Sequence, residues 1–261
     1  MEIVGNKIII EVRAGAGGDE ASIFAGDLVR MYQKYATKRG WRFSIIDANQ
    51  NSANGYKTFI GKIEDTRGEL GGGGGGGGNV GRASVYEELR NESGVHRVQR
   101  VPATEKSGRV HTSTASVAVM PVVEPKEVNI NPSDLEISFF RSSGPGGQNV
   151  NKVETAVRIV HKPTGVVVAC QNGRSQSANR EEAMSILSSK IWEAQRLEEM
   201  VRLGKLRRDQ IGTGDRAEKI RTYNFPDDRI TDHRIGKKFH NIESVLEGNL
   251  EPIIKAFQKG A

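Results

Sequence analysis

The residues best suited to chemistry lie in one run, Arg141-Ser142-Ser143-Gly144-Pro145-Gly146-Gly147-Gln148-Asn149-Val150-Asn151. Gly146 and Gly147 lack a Cβ, so their backbone can take φ > 0 and press against a ligand. Pro145 stiffens the approach and removes an N–H. Gln148 offers two donors and an acceptor and never titrates. A general acid or base needs a pKa near the working pH. The run is therefore suited to orienting water or stabilising an oxyanion, and its glutamine side chain cannot shuttle protons. Any hydrolysis at this loop draws part of its site from outside the chain. Standing alone, Gly-Gly-Gln also reads as a flexible Gly-rich hairpin, since short motifs match freely.

A second group is polar and lacks nucleophiles. Pro102 and Gly108 bracket a loop, and Gln99, Thr104, His111 and Thr112 lie in or beside it. Amides, hydroxyls and imidazoles are the side chains that read base edges and stack on unpaired bases of single-stranded RNA. Arg97, Arg100 and Arg109 stand among them as candidate phosphate holders. The bland alternative is that these Thr and His residues satisfy strand and turn backbones. A third candidate opens the first helix. Ala14-Gly15-Ala16-Gly17-Gly18-Asp19-Glu20 follows a strand-like run, but Glu20 stands where a dinucleotide fingerprint needs its third glycine. Two carboxylates at a helix start suit the helix dipole and repel phosphate. Gly17 and Glu20 are instead placed to offer backbone and carboxylate to a neutral ligand such as a base edge. Gly55 to Ile63 is no phosphate loop either, because its spacing is one residue too long and Ile63 replaces the hydroxyl residue.

The elements that must position these groups follow from periodicity. Lys7–Arg13, Trp41–Ile46, Tyr56–Ile63 and Arg109–Met120 read as strands. Ile23, Phe24, Leu28, Met31, Tyr32 and Tyr35 define the apolar face of a helix that Gly40 ends. A short helix covers Val85–Arg90. Strands at Leu135–Phe140, Glu154–His161 and Val166–Gln171 flank the Gly-Gly-Gln loop, and a long helix starts near Ala178. Strands at Lys219–Phe225 and Arg229–Ile235 come next, and a closing helix at Ile242–Phe257 is broken by Gly248 and Pro252. Eight consecutive glycines at 71–78 mark a linker with nothing to pack.

The net charge of +6 is unevenly placed. Residues 1–140 hold 17 Lys+Arg against 17 Asp+Glu, whereas residues 141–261 hold 21 against 15. The basic excess thus accompanies the Gly-Gly-Gln loop and the residues C-terminal to it. That distribution suggests a polyanionic partner, nucleic acid before membrane. Cys170 is the single cysteine, which excludes an internal disulfide and any cysteine-cluster zinc site. No cofactor or metal is expected. Met1–Gly5 has neither the basic nor the apolar region of a secretory signal, so a cytoplasmic location is expected before an organellar matrix.

Together the motifs resemble those of bacterial-type class I peptide chain release factors. Ser143–Asn151 is similar to that family's peptide-release motif. Pro102-Ala103-Thr104 resembles the codon-reading tripeptide of the branch that reads UAA and UAG. His96–Pro102, Gly108–Ser113 and Lys219–Pro226 are similar to the family's sequences, and the likeness covers nearly the whole chain outside the glycine insert. It begins at the family's codon-recognition domain and includes no N-terminal helical domain, the part that meets the ribosomal stalk base and the recycling GTPase.

The resemblance implies an α+β protein. Residues 1–130 with 212–261 would form a codon-recognition body of mixed sheet and helices, with a Gly-rich insert at 64–84. Residues 131–211 would form a small α/β domain carrying the Gly-Gly-Gln loop. The implied function is translation termination: recognition of UAA and UAG in the ribosomal A site, then peptidyl-tRNA ester hydrolysis in the peptidyl transferase centre. The chain would be no free-standing enzyme. The runner-up is a stop-codon-independent ribosome-rescue hydrolase factor, against which the codon-reading stretch argues.

By the same resemblance Gly17 and Glu20 would meet the first base and Thr104 the first two, beside Pro102 and Ala103. His111 would stack in the codon pocket, and Gln99 and Thr112 would check the third base. Gly146, Gly147 and Gln148 would act at the peptidyl transferase centre, with Gln148 N5-methylated by a glutamine methyltransferase. Arg202, Lys205, Arg207 and Arg208 would face ribosomal RNA.

Overall fold

The computed structural model describes residues 3–51, 55–67, 83–102, 105, 108–123, 130–142, 153–212 and 215–258. The glycine run at 71–78 lies outside them. The chain divides into a larger unit, residues 1–124 with 203–261, and a smaller one, residues 125–202.

The larger unit is an eight-stranded sheet. Its strands are β1 (Ile3–Ala14), β2 (Arg42–Gln50), β3 (Tyr56–Glu64), β4 (Gly94–Arg100), β5 (His111–Val123), then β9 (Lys219–Asn224), β10 (Arg229–Asp232) and β11 (Lys237–His240). Their spatial order is β11-β10-β9-β4-β5-β1-β3-β2. Among the described residues only β4 and β9 pair in parallel, so one long excursion of the chain returns to the middle of the sheet. Helix α1 (Asp19–Arg39) buries Phe24, Leu28, Met31, Tyr32 and Tyr35 against Ile8, Ile10, Val12 and Val98. The alternation along β1 explains this face, since Ile8, Ile10 and Val12 point one way and Glu11 the other. Gly40 closes α1 with φ +71, the left-handed cap a glycine makes without strain. The unit also holds the short helices α2 (Val85–Leu89), α4 (Ile242–Leu246) and α5 (Glu251–Gln258). Ser84 and Glu87 form a reciprocal capping box at α2. Pro252 sits in the first turn of α5, where its missing N–H leaves no helical bond unmade.

Two strands were absent from the sequence expectation. β4 falls in a stretch to which the sequence reading assigned no element, because His96, Arg97, Gln99 and Arg100 mask its alternation. β11 is four residues long. The first shows its reason in the structure. His96 is wholly buried, its Nε2 lying 2.8 Å from the Glu92 carbonyl and its Nδ1 3.4 Å from Tyr223 Oη. Arg221, also fully buried, binds both Glu92 oxygens at 2.7 and 2.9 Å and Asp232 at 3.1 Å. This polar cluster ties β4, β9 and β10 to α1, because Tyr32 donates to Glu92 as well (3.2 Å).

Burial, and then the nearby Arg221 charge, hold the His96 pKa down to about 4. His233 is shifted in the same direction by burial and neighbouring cations. The unfolded chain, with His near pKa ~6.5, therefore binds protons that the fold rejects. Stability is fully present above pH ~6.5 and falls as the pH drops towards 4, with a slope approaching ~1.4 kcal/mol per pH unit for one histidine. Urea unfolding at pH 7.5, 6 and 5 should show this loss, and His96→Asn should flatten it. An unchanged slope in that variant would assign the effect elsewhere.

The smaller unit is an antiparallel sheet of β6 (Leu135–Phe140), β7 (Ala156–His161) and β8 (Val166–Cys170), in that order, with helix α3 (Gln176–Ile211). Val157, Ile159, Val168 and Cys170 pack against Ala183, Leu187 and Ile191 of α3. The division falls inside α3, after Arg202. Its last turns lie on the larger unit, whereas the sequence reading placed them with the smaller. Their anchors are specific. Arg207 grips the buried Glu11 at 2.5 and 2.7 Å. Gln210 bonds both the N–H and the carbonyl of Val119 at 3.0 Å. Pairing of β4 with β5 runs only as far as Val117, so Gln210 satisfies backbone groups that no strand reaches.

Candidate nucleic-acid interface

One end of the large sheet collects most of the base-reading candidates. Gln99 and Thr112 are directly paired across β4 and β5, and Arg100 pairs with His111. Cross-strand partners share a face. Arg100 and His111 thus lie on the α1 side and Gln99 and Thr112 on the opposite side. His111 is about half exposed and contacts Glu105 at 2.7 Å, and Glu105 N–H donates to the Pro102 carbonyl at 3.0 Å. Ala103 and Thr104 lie outside the described residues. Val101 and Val110 are exposed beside this rim.

The start of α1 is pressed onto the same strand end. Ala16 N–H donates to Thr114 Oγ1, Thr114 N–H to the Ala16 carbonyl, and Gly15 N–H to the Thr114 carbonyl, at 2.8–2.9 Å. A Cβ on Gly17 would collide with the Ser113 side chain, and its φ of +134 disfavours any side chain. Gly17 therefore serves close approach here, and glycine alone suits it. It packs Gly17 onto Ser113, next in sequence to Thr112, while Glu20 lies on the α1 side of the sheet with Arg100. Glu20 is buried and bound by Arg100 at 2.5 Å.

Arg100 corrects the sequence reading. Its guanidinium also binds Asp27 at 2.8 Å and lies 5.3 Å from the centre of the Phe225 ring, so it does not stand ready for phosphate. Arg97 likewise donates to Thr222 (3.1 Å). Of the basic stripe on α3, Arg202, Lys205 and Arg208 are exposed, while Arg207 is engaged by Glu11. Burial alone would raise the Glu11 pKa, but hydrogen bonds from Arg207 and Arg13 hold it below the usual carboxylate range.

In the smaller unit, the loop opens between Phe140 and Ala156, a registered pair of β6 and β7. Residues 143–152, including Gly146, Gly147 and Gln148, lie outside the described residues. The returning stem is held. Asn179, fully buried at the start of α3, donates to the Thr155 carbonyl (2.8 Å) and accepts from Gly173 N–H (2.7 Å). Gln176 donates to the Glu154 carbonyl at 3.1 Å. Sequence reading missed Asn179 because a polar residue inside a helix carries no sign of its buried partners. Among the described residues no cluster of His, Cys, Asp or Glu suited to a metal occurs. No described helix is long and apolar enough to cross a membrane.

The candidate site residues thus fall into two groups, amides, hydroxyls and an imidazole at one end of the large sheet, and a glycine-rich stretch between two paired strands of the small one. Two family models match: the PCRF domain over residues 4–117 and the RF-1 domain over residues 124–234. The chain belongs to the peptide chain release factor family. Among its relatives is peptide chain release factor 1 of Carboxydothermus hydrogenoformans, 53% identical over 250 residues. The match covers 96% of this chain and 65% of that protein. Peptide chain release factor 1 of Aquifex aeolicus is 51% identical, over 97% of this chain and 65% of its own length. A solved structure described as RF2 of Thermus thermophilus is similar, with a TM-score of 0.55 and 35% identity over 97% of this chain and 68% of that one. The chain thus spans about 65% of the length of these release factor 1 relatives.

Proposed function

We propose that this chain terminates translation, recognising UAA and UAG in the ribosomal A site and prompting hydrolysis of the peptidyl-tRNA ester. The observation that carries this reading is that Gln99, Pro102, His111 and Thr112 lie at one end of the sheet, with Gly17 packed on Ser113 and Glu20 held by Arg100 at that same end; Ala103-Thr104 follows Pro102 in the sequence. Rigidly held donors and acceptors suit bases whose edges are free. The cross-strand pair Gln99–Thr112 would check the third base. Thr104 would read the first two, and His111 would offer a stacking surface.

The chemistry belongs to the Gly-Gly-Gln loop. Water adds to the ester carbonyl, the tetrahedral oxyanion collapses, and the C–O bond to the tRNA ribose breaks as that oxygen takes a proton. Gln148 N–H would donate to the oxyanion, while the glutamine side chain would order or admit only water. Neither step gives Gln148 a proton to carry. The ribosome would supply the rest of the site, so the chain alone would not be an enzyme. Its partners would be the decoding and peptidyl transferase centres, the mRNA and peptidyl-tRNA, in the cytoplasm. A glutamine methyltransferase would modify Gln148. Arg202, Lys205 and Arg208 would face ribosomal RNA.

The test is peptide release from ribosomes carrying UAA, UAG, UGA or a sense codon in the A site. Release is expected on UAA and UAG alone. Release from an empty A site would replace this reading by ribosome rescue, and binding without release would leave an RNA-binding module.

A further inference from the structure

Arg100 joins three elements at the base-reading end of the large sheet. It is the last residue of β4, next to Gln99 and across from His111. Its Nε holds Glu20 of the first turn of α1, and its Nη1 holds Asp27 two turns further along the same helix. Its guanidinium lies over Phe225, whose own N–H donates to the Gln99 carbonyl at 3.0 Å. Two carboxylates seven residues apart lie on one face of a helix, so one fork gripping both fixes the helix against sliding and rotation. Lysine, a single-point cation on a flexible stem, cannot make this double contact.

The grip matters because Glu20 has little else. It is 5% exposed, and among the described residues its Oε2 has no hydrogen-bond partner. A buried carboxylate with one oxygen unmet depends on its cation for its place. The glycine loop before it, residues 15–18, carries two φ values in the left-handed range, so its path depends on glycine and on the contacts that hold it. The contacts of Ala16 and Thr114 fix the loop to β5, and Arg100 fixes the helix that the loop enters.

We propose that Arg100 is a positioning residue for first-base selection, clamping the Gly17–Glu20 turn of α1 to the end of β4 through Glu20 and Asp27. This rests on the codon-reading function proposed above. It assigns Arg100 no contact with RNA. Loosening the clamp should blur the first position, where Gly17 and Glu20 act. The third position should keep its fidelity, because Phe225 N–H holds Gln99 whether or not the guanidinium is present.

The experiment measures release kcat/KM for wild type and Arg100→Lys on ribosomes bearing UAA, the first-position mismatch CAA and the third-position mismatch UAC. In Arg100→Lys the CAA:UAA ratio should rise about tenfold, the scale of one lost charged hydrogen bond. The UAC:UAA ratio should stay within about twofold, and kcat on UAA should be nearly unchanged. Asp27→Asn, which keeps the shape and removes a charge that Arg100 grips at a residue with no assigned codon contact, should move the CAA:UAA ratio the same way, and it decides the matter if Arg100→Lys does not fold. A uniform loss of kcat/KM on all three codons, or a lowered melting temperature with both ratios unmoved, would overturn the proposal and leave the termination reading intact. Failure of the wild type to release on UAA would overturn both.

Discussion

Replacing Arg221 by methionine is expected to destabilise the larger unit by ~3–5 kcal/mol, the usual consequence of removing one partner from a buried ion pair. Arg221 is fully buried, as are Glu92 and Asp232, at 1% and 0% exposure. Its guanidinium makes two bonds to Glu92 (2.7 and 2.9 Å) and two to Asp232 (3.2 and 3.1 Å). Without it, Glu92 keeps only the Tyr32 hydroxyl as a side-chain donor among these contacts, and Asp232 keeps Arg234. Methionine fills the volume, so the loss isolates the stranded charges from any cavity. Arg221→Lys should fall between the two, since an ammonium cannot fork to both carboxylates. Equilibrium urea unfolding measures this. A loss below ~1 kcal/mol would mean that water or protonation relieves both acids. The effect should be largest at neutral pH. Burial alone would raise the Glu92 pKa, but the Arg221 charge and hydrogen bonds, together with other neighbouring groups, outweigh it and hold the group below the usual range, so the stabilisation fades as acid protonates the carboxylates.

The second large effect separates backbone from side chain at position 148. Gln148→Pro removes the N–H assigned to the oxyanion, since proline has none. Losing one such donor typically lowers kcat ~10²–10³-fold. Gln148→Ala keeps the N–H and removes only the group that orders water, so its loss should be clearly smaller. Both should bind UAA-programmed ribosomes as wild type does, because codon reading is assigned to the other unit. Single-turnover release at saturating factor, with binding measured separately, makes the comparison. Equal losses in the two variants would move the catalytic role to the side chain. Abolished binding would break the division of labour between the units.

Much of this protein was legible in its residues alone. Helix α1 showed itself through an apolar stripe at helical spacing, closed by Gly40. β1 and β3 showed themselves through alternation, and β6 and β7 through apolar runs that bracket the Gly-Gly-Gln loop. Such signals are local, since each residue's role depends on neighbours within a turn or a pleat. The Gly-Gly-Gln and Pro102-Ala103-Thr104 motifs stand out in the sequence because they are contiguous, and residues 103–104 and 143–152 lie outside the described residues.

What the tertiary structure alone decided is which polar groups are partners. Arg100, Arg207 and Arg221 look alike in sequence, as cations in basic surroundings. In the fold Arg100 clamps Glu20, 80 residues away. Arg207 covers Glu11, 196 residues away, and Arg221 neutralises Glu92 across 129. β4 was obscured by the same effect, because His96 and Arg97 look solvent-facing until β9 supplies Tyr223 and Thr222. A polar side chain enters a core only when a partner meets it there. That partner is chosen by strand order and helix placement, which no local pattern of residue types records.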